Sequence, residues 1–302
     1  MAKYREKDNL KLPFWLTPAR HYVGAAWYQR EVVVPSGWRG RRVRLYLERP
    51  HSETTVWVDG IRVGTEFGYC TAQEFGLGVL SPGRHRITLR IDNRIKDINV
   101  GQDSHSLTDQ TQGNWNGVVG KLLLEALAPV RVEDVQVFPD VAGRRARVRI
   151  LIRSSLGSVG SGMVELSAKS FNTGVSVSTD VVRVPYNLKD SSDSVMVELP
   201  MGDKMVLWDE FDPALYRLKV RVLGGDERLV EFGMREFRVK GTRFEVNGRP
   251  VYLRGTVENC VFPLTGYAPM DEAKLGAGVS NCEVLGFESY AVSFVLSAGG
   301  CF

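Results

Sequence analysis

Between Trp15 and Leu127 no stretch of the chain sustains the apolar period of an amphipathic helix. Short runs rich in β-branched and aromatic residues stand there instead, cut apart by Gly, Pro, Asn and Asp. WYQREVVVP, RVRLYLER, TTVWVDGIRVG, HRITLRIDN and GKLLLEAL each alternate in part between apolar and polar residues. A strand of that kind has one face to bury, so such strands must pair into sheets and the sheets must stack. Val58-Asp59-Gly60-Ile61 carries a two-residue hairpin signal, because Asp and Gly tolerate positive φ, and Ser81-Pro82-Gly83 reads as a turn ahead of a strand. Residues 1–127 are therefore expected to form an antiparallel sandwich of jelly-roll type. The alternation around Trp27-Tyr28 and Val56-Trp57 reads as that of core aromatics, with no site assigned to them.

Leu127-Ala-Pro129 is a linker, since proline cannot continue a central strand. Beyond it VRVEDVQVFPD, RRARVRILIRS, GMVELSAKSF, DSVMVELP, LYRLKVRVL and LVEFGMREFRV give a second set of strands with polar turns such as Gly224-Gly225-Asp226. An immunoglobulin-like β-sandwich over residues 128–240 fits their number and length, without the Cys-Trp-Cys core signature. The two halves are both β but are not copies, and no solenoid period appears. Residues 232–254, FGMREFRVKGTRFEVNGRPVYLR, read as three strands and two turns. Asn247-Gly248 supplies the residues a type I′ turn requires, with Phe244 and Val246 alternating before it and Val251 and Leu253 after it.

A length of 302 residues with 43% apolar content suits two domains with packed cores. A net charge of +4 from 39 basic and 35 acidic residues is a mixed surface, which gives no ground for a nucleic-acid partner. Cys70, Cys260, Cys282 and Cys301 show no metal spacing and no disulfide framework, so they read as unpaired thiols. His51 and His105 have no second ligand at metal spacing and read as structural. No metal and no cofactor are expected. The start, MAKYREKDNLKLPFW, has no apolar core of a signal peptide, and no run is long enough to span a membrane. As written, the chain is expected in the cytoplasm with no membrane partner.

Three separated motifs then add to this reading. Trp208-Asp-Glu-Phe-Asp-Pro-Ala-Leu-Tyr216 with RLKVRVL, the 232–254 hairpin run, and LRGTVENCVFPLTGY resemble, in that order, the junction of family 2 glycoside hydrolases. AAWYQREVVVP, LYLERPHSETTVWVDGIRVG and LSPGRHRITLRIDN resemble the sugar-binding domain of the same family. The resemblance covers residues 13–273. It implies an all-β chain: a galactose-binding-like jelly roll, then an immunoglobulin-like sandwich, then in residues 241–273 the entry hairpin and first strand of an incomplete (β/α)8 barrel. It implies hydrolysis of O-glycosyl bonds of β-linked sugars such as galactose or glucuronate, with carbohydrate as the partner. The family's sugar-binding domain has further residues ahead of the AAWYQRE strand, so the sandwich is expected to lack its first strands and to self-associate through unpaired sheet edges.

Retaining glycosidases need two carboxylates about 5 to 5.5 Å apart. In the family both are glutamates on later barrel strands, so no catalytic residue carries over and the chain is expected to be inactive alone. A carbohydrate-binding protein without catalysis is the alternative, and an interaction protein using sandwich edges is a third reading. Two groups of residues could touch sugar. Arg254, Glu258 and Asn259 lie at or just beyond the carboxyl end of the expected barrel strand, where family members place polar substrate contacts and where a rim ion pair is the plainer role. Asp109, Gln112, Asn114 and Trp115 lie in SHSLTDQTQGNWNGVVG, whose amides suit sugar hydroxyls and whose indole suits a pyranose face. The plainer role for Trp115 is a plug of the sandwich core.

Residues 274–302 break with the rest, holding one of the chain's 39 Lys and Arg and no Asp, Pro or His. Read one nucleotide downstream with permitted codons, the segment can encode SWGRVFRIAKYWGLNHMRFHSYCPPEAAF, which resembles the first helix and second strand of the family's barrel. The expectation is a frameshifted, disordered tail whose low charge favours aggregation.

Overall fold

The computed structural model describes residues 22–69, 71–96, 115–155, 157, 160–253, 255–258 and 289–292, the last two segments by backbone alone. All four cysteines lie outside the described residues. The chain divides into two compact units, Met1–Ala126 with Arg254–Phe302, and Leu127–Leu253.

The first unit is an antiparallel sandwich of β1 (Ala25–Val34), β2 (Arg42–His51), β3 (Glu53–Val58), β4 (Ile61–Phe67), β5 (Gln73–Val79), β6 (Gly83–Asp92) and β7 (Gly117–Ala126). One sheet has the order β1-β6-β3-β4 and the other β5-β2-β7. Chain order switches between the sheets as a jelly roll does. Every second residue of β2, Val43, Leu45 and Leu47, points inward to meet Phe75 and Leu77 of β5, and Val56, Val58, Ile87, Leu89 and Ile91 face them from the opposite sheet. Strand β5 is not evident from the sequence. Gly76 and Gly78 stand on either side of its inward Leu77, and Gly78, at φ +75°, lies where the pairing with β2 shifts register.

Beside β7 there is no further strand among the described residues. Register places Leu122 opposite the buried Leu47, yet Leu122 is 53% exposed. The residues ahead of Tyr22, on which the expectation of missing first strands bears, lie outside the described residues.

Both aromatic assignments on the first sheet need correcting. Val56 and Val58 occupy the inward phase of β3, so Trp57 alternates outward, and Trp27 is 62% exposed on β1. Neither indole belongs to the core.

The β3–β4 hairpin is the one the sequence signals, with Asp59 at φ +51° and Gly60 at φ +85°. Asp59 Oδ1 accepts the Arg86 backbone N–H at 2.7 Å, and its Oδ2 is 2.7 Å from His85 Nδ1. His85 Nε2 meets the Ser81 carbonyl, also at 2.7 Å. A ring with acceptors at both nitrogens is held as the imidazolium, and the Ser81 carbonyl, then Asp59, raises its pKa. A pKa raised on folding gives stability that is complete below the unfolded value of about 6.5 and is lost as pH rises through the folded value. Going from about pH 6 to about pH 8 should therefore lower the melting temperature of the wild-type chain more than that of His85→Gln, followed by circular dichroism.

The second unit is also a sandwich: β8 (Val130–Asp140), β9 (Arg145–Ser154), β10 (Gly160–Phe171), β11 (Val182–Leu188), β12 (Ser192–Pro200), β13 (Leu215–Val222) and β14 (Glu227–Phe232). The sheets run β12-β9-β8 and β11-β10-β13-β14, an immunoglobulin-like arrangement. Val148, Ile150 and Ile152 of β9 face Val164 and Leu166 of β10 and Leu218 and Val220 of β13 across the core. Strand β11 escapes sequence reading because Pro185 sits inside it. As an edge strand it has a side that needs no ladder donor.

A smaller sheet follows in the same unit, β15 (Phe237–Lys240), β16 (Arg243–Val246) and β17 (Arg249–Val251), in chain order. Asn247 and Gly248 take φ +51° and +77°, forming the turn read from the sequence. Asn247 also does long-range work: its backbone N–H donates to Glu236 O, its Oδ1 accepts Glu236 N–H, and its Nδ2 donates to Trp208 O at 2.9 Å. Trp208 in turn receives the Arg235 guanidinium over its ring and lies so close to Gly233 that a Cβ there would meet its Cβ at 2.9 Å. Asn247→Ala removes both side-chain hydrogen bonds and places a Cβ residue without polar compensation at positive φ. It is expected to cost about 2 kcal/mol, read from urea unfolding.

Beyond the second unit β18 (Gly255–Glu258) pairs in parallel with β19 (Ser289–Val292), Gly255 opposite Ser289 and Glu258 opposite Val292. This is the pairing sense that (β/α)8 barrels use. The other residues of the 274–302 segment lie outside the described residues.

Candidate functional site

The strand ends of the first sandwich converge at one end. Register sets Ala25 of β1 and Glu53 of β3 on either side of Asp92, the last residue of β6, and sets His51, the last of β2, opposite Gly117, the first of β7. The segment carrying Trp115 therefore enters this end directly.

Two asparagines lock the entry. Asn93 Oδ1 accepts the Gly24 N–H at 2.8 Å, while its Nδ2 donates to the carbonyls of Tyr22 at 2.8 Å and Trp115 at 3.1 Å. Asn116 Nδ2 donates to the carbonyls of Gly24 and Ile91, and its Oδ1 accepts the Tyr28 hydroxyl at 2.9 Å. The Asn93 amide is spent wholly on backbone groups, and the Asn116 amide on two carbonyls and the Tyr28 hydroxyl.

The Trp115 indole stacks on His51 with centroids 4.8 Å apart and planes inclined by 24°. His51 is itself buried, its Nδ1 3.3 Å from the Tyr69 carbonyl and its ring 5.7 Å from that of Tyr69. A carbonyl only accepts, so Nδ1 carries the hydrogen. His51 thus forms the floor on which Trp115 rests. Trp115 is half-buried, neither sealed into the core as a plug nor fully free.

A charge network closes the other side. The Asp92 carboxylate is fully buried and is reached by Arg94 at 2.6 Å, Arg90 at 2.9 Å and Lys96 at 3.0 Å; Glu53 takes Lys96 at 2.8 Å and Arg90 at 3.1 Å. Hydrogen bonds from Arg94 hold the Asp92 pKa far below the ordinary carboxylate range, against the desolvation that would raise it. Lys96 and Arg90 lower that of Glu53.

Of the residues selected from the sequence, Trp115 takes its place at this end. Asp109, Gln112, Asn114, Arg254 and Asn259 lie outside the described residues, and Glu258 is described only as backbone at the end of β18. Sequence reading missed Asn93, Asn116 and the Asp92 network. The one signal available was the polar IDNRIK run directly after a strand. Among the described residues no group of His, Cys, Asp or Glu could hold a metal ion.

The topology and this site define a class: a tandem of jelly-roll and immunoglobulin-like sandwiches with an aromatic and amide-lined end on the first. The profile of glycosyl hydrolases family 2 matches residues 130–235. The chain is 26% identical over 259 residues to a β-glucuronidase of Paenibacillus borealis, covering 78% of this chain and 40% of that protein. It is 24% identical over 278 residues to a β-galactosidase of Thermoanaerobacter pseudethanolicus, covering 88% and 36%. Among solved structures, a β-glucuronidase from Ruminococcus gnavus in complex with D-glucuronic acid superposes with a TM-score of 0.72 at 20% identity, over 93% of this chain and 48% of that one. A family 2 β-galacturonidase from Eisenbergiella tayi bound to galacturonate gives 0.71 at 21%, over 91% and 46%. The match to glycosyl hydrolases family 2 thus lies within the second sandwich, and the chain spans less than half the length of these relatives.

Proposed function

We propose that the chain is the accessory sandwich region of a family 2 glycoside hydrolase, serving hydrolysis of O-glycosyl bonds of β-linked sugars, and that by itself it binds sugar without cleaving it. The observation that carries this reading is the family match over residues 130–235, in a chain whose first sandwich presents a half-buried indole among amides at its strand ends. The relatives' names, β-glucuronidase and β-galactosidase, support a terminal uronate or galactose as the sugar. In this reading Trp115 offers its free indole surface to a pyranose face, Asp109, Gln112 and Asn114 hold hydroxyls, and Arg254, Glu258 and Asn259 add polar contacts from the barrel strand. No residue of the chain is assigned as nucleophile or acid/base.

The test has two arms. The purified chain should show no turnover of nitrophenyl β-glycosides, including the glucuronide and the galactoside; hydrolysis above the uncatalysed rate contradicts the inactivity. Titration with D-glucuronate and D-galactose should give saturable binding to one of them that Trp115→Ala abolishes. Binding untouched by that substitution removes Trp115 from the site.

A further inference from the structure

We propose that the outer face of the β1-β6-β3-β4 sheet is a second carbohydrate-binding surface, distinct from the strand-end site, on which the indoles of Trp27 and Trp57 stack against a neutral β-linked glycan. Register sets Arg90 of β6 between Trp27 and Thr55, and Thr88 between Gln29 and Trp57, so the two indoles meet diagonally across β6. Their centroids are 5.1 Å apart with planes inclined by 33°, and together they form one aromatic surface. Trp27 is 62% exposed, whereas tryptophan is on average a highly buried residue. An indole held in water against a second indole, on strands rather than a loop, is a preorganised stacking surface.

The neighbours decide the occupant. Gln29 Nε2 donates to Thr88 Oγ1 at 3.0 Å, which leaves the Gln29 carbonyl and the Thr88 hydroxyl hydrogen to serve a ligand. Arg90 is engaged by Glu53 and Asp92, and Arg86 by Glu31, while Arg62, opposite Trp57 on β4, donates to the Thr65 hydroxyl. What remains is aromatic area interleaved with amide and hydroxyl. A pyranose with equatorial hydroxyls fits that pattern, with its apolar C–H face on the indoles and its rim toward Gln29 and Thr88. The two cations on β6 are neutralised by their own carboxylates, and Gln29 and Thr88 are uncharged, which favours a neutral glycan over an acidic one. The choice of sugar as occupant rests on the proposed carbohydrate function; the location of the surface does not.

Calorimetric titration of the full chain with cellohexaose tests this. Saturable binding is expected, weakened about tenfold or more, the equivalent of about 1.4 kcal/mol, by Trp27→Ala, and unaffected by Trp115→Ala. Because Trp27 is exposed, Trp27→Ala should melt as the wild type does. Should it fail to fold, Trp27→Gln and protection of wild-type tryptophan fluorescence from iodide by cellohexaose give the same reading. Absence of binding and of protection overturns the proposal, as does binding that Trp27 variants leave intact. Self-association of the wild-type chain that Trp27→Ala abolishes, seen by sedimentation, also overturns it by making the face a protein contact. Loss of glucuronate or galactose binding in Trp115→Ala without any cellohexaose binding would sink this inference and leave the strand-end reading standing.

Discussion

Tyr216→Ala is expected to remove about 4 kcal/mol from the second sandwich, the largest loss among the substitutions considered for that unit. The ring of Tyr216 is fully buried at the second position of β13 and stacks on Phe232 with centroids 5.5 Å apart. Truncation leaves a cavity between two sheets whose other occupants, Ile150, Leu166 and Leu218, are held by their own ladders and cannot collapse into it. The hydroxyl adds a second contribution. It accepts the backbone N–H of Val206 at 2.8 Å, tying the segment between β12 and β13 to the core in the manner of a tyrosine corner. Tyr216→Phe keeps the ring and strands that one donor, for a loss of about 1 to 3 kcal/mol. Against a typical total of about 5 to 15 kcal/mol, the alanine variant should stand close to unfolding. Hydrogen exchange separates the effects: the alanine variant should lose protection throughout β9, β10 and β13, and the phenylalanine variant mainly around Val206. Equal protection in wild type and Tyr216→Ala would show that the ring contributes little.

What the sequence made legible was whatever its chemistry decides locally. Asp59-Gly60 and Asn247-Gly248 had to be hairpin turns because few other residue pairs tolerate two successive positive φ angles, and both are. The two sandwiches followed from short alternating runs whose only stable arrangement is stacked sheets. Strands β5 and β11 stayed hidden because glycine and proline, read as breakers, here mark a bulge and an edge. The error over Trp27 and Trp57 has another cause. In TTVWVDG both phases of the alternation are apolar enough to face a core, and only pairing with β6 selects Val56 and Val58. The strand-end site was least legible of all. Asn93 reaches Gly24 across 69 positions and Asn116 reaches it across 92, so their roles exist only once β1, β6 and β7 have converged.

Asp92→Asn should destabilise the first sandwich by about 3 kcal/mol near neutral pH, and the deficit should shrink in acid. The carboxylate has no solvent contact and gathers Arg90, Arg94 and Lys96, whereas Glu53 takes only two of these. Removing its charge without changing its shape leaves Arg90 and Lys96 partly desolvated with Glu53 as their sole shared anion, while Arg94, about half-exposed, turns to water. The cost therefore falls at the low end of what breaking a buried pair brings. Because folding lowers the Asp92 pKa, its contribution is present above the unfolded value of about 3.9 and is lost as pH falls through the folded one. The wild type should thus approach Asp92→Asn as pH drops below about 4, whereas a purely steric role would keep the difference constant. Urea midpoints at pH 7 and in acid, beside Arg94→Gln as the exposed-partner control, distinguish the two. Arg94→Gln should cost less than Asp92→Asn, since it leaves the carboxylate two cations. The same carboxylate fixes the end of β6 from which Asn93 holds the Trp115 carbonyl. If its charge orders that end, Asp92→Asn should weaken sugar binding at Trp115 together with stability.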